Sequence, residues 1–372
     1  MGKHTIDELH QWQALPLSVK IRMTKERIRN WINEFGEDGV YVSFSGGKDS
    51  TVLLDLVRKD YPDVKAMFVD VPTQYLELKQ FVMTFKNVDI VKPKISFAQV
   101  CEKYGFPLIS KEVSNCVSGA RKYVKYLDSQ KSNKTILTDR NKEKCKSLQM
   151  GVIPRGSEYR LRRLNGELTD SKGNYSQFNQ EKYKFFLDAP FEISDKCCRE
   201  MKHKPAFDYE KKTGRKPILA VMASESVQRM RKWSQDGCNA FNVTRPHSNP
   251  MSFWTEQDVL LYIKENNLPI CSVYGEVVTD YESMGQCEDQ MSFADFGIFD
   301  KERPLLKTTG CQRTGCVLCG FGCHLEKESR FELLKQTHPK FHNLLYILKN
   351  NGVTYAEAID WVNEHGGFNI KY

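Results

Sequence analysis

Between an apolar run, Val40 to Phe44, and a run of helical spacing, Thr51 to Leu56, the chain reads Ser45-Gly46-Gly47-Lys48-Asp49-Ser50. A glycine turn from strand to helix aims backbone N–H groups and the positive end of a helix at one point, which makes an anion cradle. Gly46 and Gly47 permit close backbone approach, Ser45 and Ser50 supply hydroxyls, and Lys48 supplies a charge. A Walker A loop is excluded, because G-x-x-x-x-G-K is followed by Ser or Thr and here Asp49 follows Lys48. The G-x-G-x-x-G pattern is absent as well.

A second chemistry lies in the twelve cysteines. The N-terminal stretch is polar and has no apolar leader, so a cytoplasmic protein is expected, in which thiols stay reduced and serve as metal or redox ligands. Cys311, Cys316, Cys319 and Cys323 fall within thirteen residues, interleaved with Gly310, Gly315, Gly320 and Gly322. Four thiolates so spaced can close on one zinc ion or iron–sulfur cluster without long-range folding. His324 is expected beside that centre. Cys197 and Cys198 are adjacent, and most of the remaining six read as small buried hydrophobes.

The elements that must position these groups alternate. Residues 5–34 read as amphipathic helices. Strands are expected at Val40–Phe44, Val64–Asp70, Val88–Val91 and Pro217–Met222, with helices at Tyr75–Phe85, Phe97–Tyr104 and Ser226–Trp233 between and after them. Such alternation predicts βαβ units and a parallel sheet covered on both faces. Thr255 and Asp258 form a capping-box signal for a helix over 255–266, and the tail from Glu328 to Trp361 reads as helical. Residues 114–186 are polar, basic and rich in glycine punctuation, which predicts a long insertion or partly helical lid. The expected organisation is a helical segment at 1–36, a nucleotide-binding domain at 37–265 and a Cys-rich, helical region at 266–372.

The stretch Ser45 to Ser50 resembles the PP-loop of the ATP pyrophosphatases. Three further stretches, Cys197-Cys198-Arg199-Glu200-Met201-Lys202-His203-Lys204-Pro205, Ala223-Ser224-Glu225-Ser226-Val227-Gln228-Arg229 and Pro250-Met251-Ser252-Phe253-Trp254, are similar in order and spacing to the phosphoadenosine phosphosulfate (PAPS) reductase family, and to its prophage-type members above all. The resemblance spans roughly residues 38–325. It implies an α/β fold, a parallel-sheet PP-loop domain of the adenine nucleotide α-hydrolase type with helical N-terminal and Cys-rich C-terminal additions. It also implies that ATP, or PAPS or its 3′-dephospho analogue APS, binds with Mg²⁺, the loop gripping the β,γ-pyrophosphate during cleavage between the α and β phosphates.

By the same resemblance, the nucleotide contacts are Ser43, Ser45, Gly46, Gly47, Lys48, Asp49, Ser50, Asp70 and Glu225, and the catalytic groups are Lys48, Asp49, Lys202 and Arg229. Lys202 and Arg229 are fixed cations of the kind that bind phosphate or sulfate oxygens. Glu225 and Arg229 also have i, i+4 spacing, so an ordinary helix-surface pair fits them too. Asp70, at a strand end, suits either a ligand contact or a cap. Members similar to adenylylsulfate reductases hold a 4Fe–4S cluster with a Cys-Cys pair and a later Cys-x-x-Cys, here Cys197, Cys198, Cys316 and Cys319. The compact quartet is instead similar to enzymes of DNA phosphorothioation. Cys316 and Cys319 belong to both sets. Ser110-Lys111 also matches the family, with no role that its residue types supply.

Reductases of this family attack sulfate with the cysteine of a C-terminal Glu-Cys-Gly-Leu-His segment, which this chain lacks; Gly322-Cys323-His324-Leu325 is a poor match. They also tend to carry degenerate PP-loops, whereas this one is intact. Both departures favour an ATP-consuming enzyme that adenylylates an acceptor, with a sulfur donor as partner, over a thioredoxin-dependent sulfonucleotide reductase. A third expectation comes from charge. The net charge is +8, and residues 121–146 hold nine Lys or Arg against three Asp or Glu, which suits either a solvated loop or contact with DNA or tRNA. With 40% hydrophobic and 27% charged residues the composition is that of a globular chain, and no apolar run is long enough to span a membrane.

Overall fold

The structure, a computed structural model, describes residues 4–132, 156–281, 305–326 and 328–372. Two compact units emerge: residues 1–93 with 204–315, and residues 94–203 with 316–372. The sequence division at 265 does not follow this grouping.

The first unit is built on a six-stranded sheet. Its strands are β1 (Val40–Ser43), β2 (Ala66–Val69), β3 (Val88–Val91), β4 (Lys216–Ile218), β5 (Asn239–Ala240) and β6 (His247–Ser248), in the spatial order β3-β2-β1-β4-β6-β5. All neighbours are parallel except β5 and β6. The α/β class expected from the alternation is therefore present, with β1 central. Alternation along β1 sends Val40, Val42 and Phe44 into the main core with Trp31, Leu53 and Trp254. Tyr41 points the other way, to Met67 and Tyr209. Both faces are thus covered, as the continuous apolar run required.

Local signals set the ends of the covering helices. Thr5 closes a capping box on Ile6–Gln13, Pro16 precedes Leu17–Phe35, and Gly36 ends that helix at φ 75°. Thr255 and Asp258 form the expected capping box of Glu256–Glu265. The strand expected over 217–222 stops at Ile218, because Met222 already precedes a 3₁₀ turn, Ala223–Glu225.

The second unit packs the helices Phe97–Tyr104, Lys111–Ser132, Ser157–Leu164 and Tyr355–Gly366 around Phe106, Phe186, Phe191 and Tyr355. Phe106 stacks on Tyr355 with ring centroids 4.7 Å apart. A short parallel pair joins Leu108–Ile109 to Gly320–Phe321. The tail is less helical than its apolar spacing suggests: Pro339 starts a short turn, and a hairpin, Lys349–Asn350 with Val353–Thr354, interrupts it. Asn351 and Gly352 have φ of 51° and 86°, the left-handed pair that a tight hairpin needs.

Only part of the basic insertion falls among the described residues, since 133–155 lie outside them. Of its described cations, Arg121 is occupied with main-chain oxygens, donating to Phe191 O at 2.5 Å and Ala189 O at 2.9 Å. Lys125 pairs with Glu192 at 3.1 Å. Among the described residues no helix is long and apolar enough to cross a membrane.

Candidate active site

The PP-loop leaves the carboxyl end of β1 and enters the helix Lys48–Asp60, whose N-cap is Gly47. Gly46 sits at φ 75°, and a Cβ there would lie 3.0 Å from Val82 Cγ2 and 3.2 Å from Leu78 O. Both the left-handed backbone and the tight approach favour glycine here. Gly46→Ala is expected to cost at least about 1 kcal/mol in a urea titration. Gly36→Ala, at the same φ with nothing within 4 Å, isolates the backbone part of that cost. The contact reading fails if the two variants are equally destabilised.

The loop's polar groups are held by one another. Ser45 N–H donates to Ser50 Oγ at 3.2 Å, and Gly47 N–H donates to Ser45 Oγ at 3.3 Å. Ser50 Oγ donates to Gly47 O at 2.9 Å, while Lys48 N–H donates to Tyr274 Oη at 3.3 Å. A phosphate oxygen could take over the Gly47 and Lys48 amides without leaving a strained loop behind.

A cavity of roughly 350 Å³ opens on this loop. One wall is Ser45, Gly47, Lys48 and Asp49; a second is Met222, Ser224 and Glu225; a third is Thr255 and Glu256, the start of another helix. Two helix N-termini therefore face one space, each adding partial positive charge. The fourth wall, Tyr274, Arg313 and Thr314, is held by a ribbon in which Val277–Thr279 pairs antiparallel with Leu306–Thr308. Gln257 fastens that ribbon through bonds of 2.9 and 2.8 Å to the backbone of Leu306.

Charges inside the cavity are largely paired. Lys48 Nζ, 4% exposed, donates to Glu256 Oε1 and to Gln312 O, both at 2.6 Å. Arg229 forms an ion pair with Glu225. Burial pushes the Asp49 carboxyl above its usual range, opposed by Lys48, Arg313 and Arg229 and reinforced by Glu256. Asp49 Oδ1 is buried without a hydrogen-bond partner. Burial also pushes the Tyr274 hydroxyl up to about 12, so it stays protonated at neutral pH.

Of the residues singled out from sequence, Ser45, Gly47, Lys48, Asp49 and Glu225 line the cavity, and Arg229 reaches it electrostatically. Gly46 and Ser50 shape the loop, and Ser43 ends β1. Asp70 follows β2 and pairs with Lys79 at 2.8 Å, outside the cavity wall. Glu256, Tyr274, Arg313 and Thr314 carried no chemical signal of their own. Only the helix start at Thr255 was legible, through its capping box.

Lys202 belongs to the second unit, near Cys198. Cys197, Cys198, Cys316 and Cys319 of that unit share one electrostatic neighbourhood. The Cys198 thiol is held below its usual range, first by its hydrogen bond with Cys197 and then by the Lys111 and Lys202 cations. Lys111, which matched the family without a derivable role, is thus one of the two cations acting on that thiol. Burial pushes Cys319 up, and Cys323 up to about 12; Cys323 donates to Gly320 O at 2.9 Å. Cys311 belongs to the first unit, 3.8 Å from Tyr75 Oη and near Cys271. His324 packs edge-on against Phe368, with its Nδ1 buried and unpartnered. Among the described residues no group of three or more His, Cys, Asp or Glu has the close approach that holds a metal ion. The second-unit thiols suit a thiolate centre by donor chemistry and shared neighbourhood, and would have to draw closer to ligate one.

Comparison with known proteins identifies the family from sequence. A structure titled phosphoadenylyl-sulfate (PAPS) reductase from Candida auris, phosphate complex, is 15% identical, covers 70% of this chain and 88% of its own, and superposes with a TM-score of 0.34. No curated protein matches the chain. The sequence profile of the phosphoadenosine phosphosulfate reductase domain matches residues 39–149 and 157–320, well over half of the 372. The chain belongs to the phosphoadenosine phosphosulfate reductase domain family.

Proposed function

We propose that this protein binds ATP, or a related adenine nucleotide, at the Ser45–Ser50 loop and adenylylates an acceptor in sulfur-transfer chemistry. The supporting observation is the intact loop opening on a cavity in which two helix N-termini and three cations surround Asp49. An acceptor oxygen attacks the α-phosphorus, the α–β bond breaks, and pyrophosphate leaves with the electron pair. The Gly47 and Lys48 amides and Lys48 Nζ hold the departing charge, and Arg229 orients a phosphate oxygen. Asp49, with its unpartnered carboxylate oxygen, and Glu256 are hard oxygen donors suited to Mg²⁺. Bound Mg²⁺ would neutralise further charge on the leaving group. With α-labelled ATP and candidate acceptors, the protein is expected to release pyrophosphate and transfer label. Release of ADP and phosphate alone, or undiminished activity in Asp49→Ala, overturns this reading.

A second reading, thioredoxin-dependent sulfonucleotide reduction, is favoured by the shared neighbourhood of Cys197, Cys198, Cys316 and Cys319. We assign these four as the ligands of a 4Fe–4S or zinc centre. When bound, that centre would carry net negative charge from its four thiolates, which the nearby Lys111 and Lys202 cations would offset. Thioredoxin-driven release of sulfite from PAPS or APS, with iron, zinc and sulfide analysis of the same anaerobic preparation, tests it. Metal-replete protein that releases no sulfite rules it out.

A further inference from the structure

We infer that Arg313 is an additional polyphosphate-binding residue of the PP-loop cavity, contacting the pyrophosphate portion of the bound nucleotide; this rests on the nucleotide-binding reading above. Three cations act on Asp49, and two already have a carboxylate: Lys48 has Glu256 at 2.6 Å, and Arg229 has Glu225. Among the described residues no carboxylate lies within ion-pair distance of Arg313, which is exposed on the cavity wall. Arg313 is therefore the one of these three cations without a direct ion pair among the described residues, and its counter-charge is the longer-range one of Asp49.

Its backbone is anchored on both sides to the loop lysine. Gln312 O accepts from Lys48 Nζ at 2.6 Å. Thr314 Oγ1 lies 2.6 Å from Tyr274 Oη, which itself accepts from Lys48 N–H at 3.3 Å. A cation carried on a pinned segment loses little freedom when it binds, and a guanidinium can grip two phosphate oxygens at once. Arg229 and Arg313 also act on one another as like charges, in addition to the burial that disfavours the charged form of Arg229. Two guanidiniums so placed favour a polyanion between them over a single phosphate monoester.

Calorimetric titration of the intact chain with inorganic pyrophosphate, ATP and AMP tests the assignment. Arg313→Ala is expected to weaken pyrophosphate and ATP by about tenfold or more and AMP by no more than about twofold. Arg313→Glu should weaken the first two further, and Arg313→Lys should recover part of the loss. Pyrophosphate and ATP binding Arg313→Ala as tightly as the unaltered protein overturns the assignment. An equal loss of AMP affinity does so too, because it moves the contact to the nucleoside end. If Lys48→Ala loses ATP while Arg313→Ala keeps it, only the role of Arg313 fails. If the unaltered protein binds neither pyrophosphate nor ATP, the nucleotide reading fails and takes this assignment with it.

Discussion

Lys20→Met is expected to destabilise the protein by about 3–5 kcal/mol, read as a lower urea midpoint at unchanged slope. Lys20 and Asp258 are 1% and 5% exposed, and their charged atoms lie 2.6 Å apart. Lys20 also donates to Gln13 O at 2.6 Å. Asp258 accepts from Thr255 N–H at 2.7 Å and from its hydroxyl at 2.8 Å, so the carboxylate both completes the ion pair and caps Glu256–Glu265. Removing the lysine strands a buried charge, whose desolvation is then uncompensated. The double variant Lys20→Met, Asp258→Leu should recover much of the loss but remain about 1 kcal/mol short, because the cap is gone. An unchanged midpoint for Lys20→Met would mean that the pair contributes nothing.

Lys48→Met carries the largest expected functional effect, a loss of about 10²–10³ in the rate of pyrophosphate release. Methionine keeps the volume of the stem and deletes the charge. Stability should change little, because Glu256, the partner left behind, is 41% exposed and can be hydrated. A release assay alongside thermal melting separates the two effects. Activity within about twofold of the unaltered protein would remove the loop lysine from the chemistry.

Much of this site was legible as local pattern. The run into Ser45-Gly46-Gly47-Lys48-Asp49-Ser50 specified strand, glycine turn and helix, and the structure has β1, a turn with Gly46 at φ 75° and Lys48–Asp60. Thr255 and Asp258 announced the helix start that became a cavity wall. These signals work because a cap, a glycine turn or a strand alternation acts within a few residues of itself. The tail failed for the same reason: apolar spacing over 328–361 resembled one helical stretch, and the Asn351-Gly352 hairpin outweighed it.

By itself, then, the sequence determined the α/β class, the glycine turn from strand to helix at Ser45–Ser50, and the family. Tertiary structure decided which distant groups meet there. It returned 204–315 to the first unit, bringing Glu225, Glu256, Tyr274 and Arg313 to a loop more than 170 residues earlier. It also gathered Cys197 and Cys198 with Cys316 and Cys319 in the second unit, and turned Cys311 toward Tyr75 in the first. These juxtapositions follow from burying apolar faces such as Val40, Trp31 and Trp254 against one another. That burial is set by the whole packed chain, and no spacing along it encodes which partner is met.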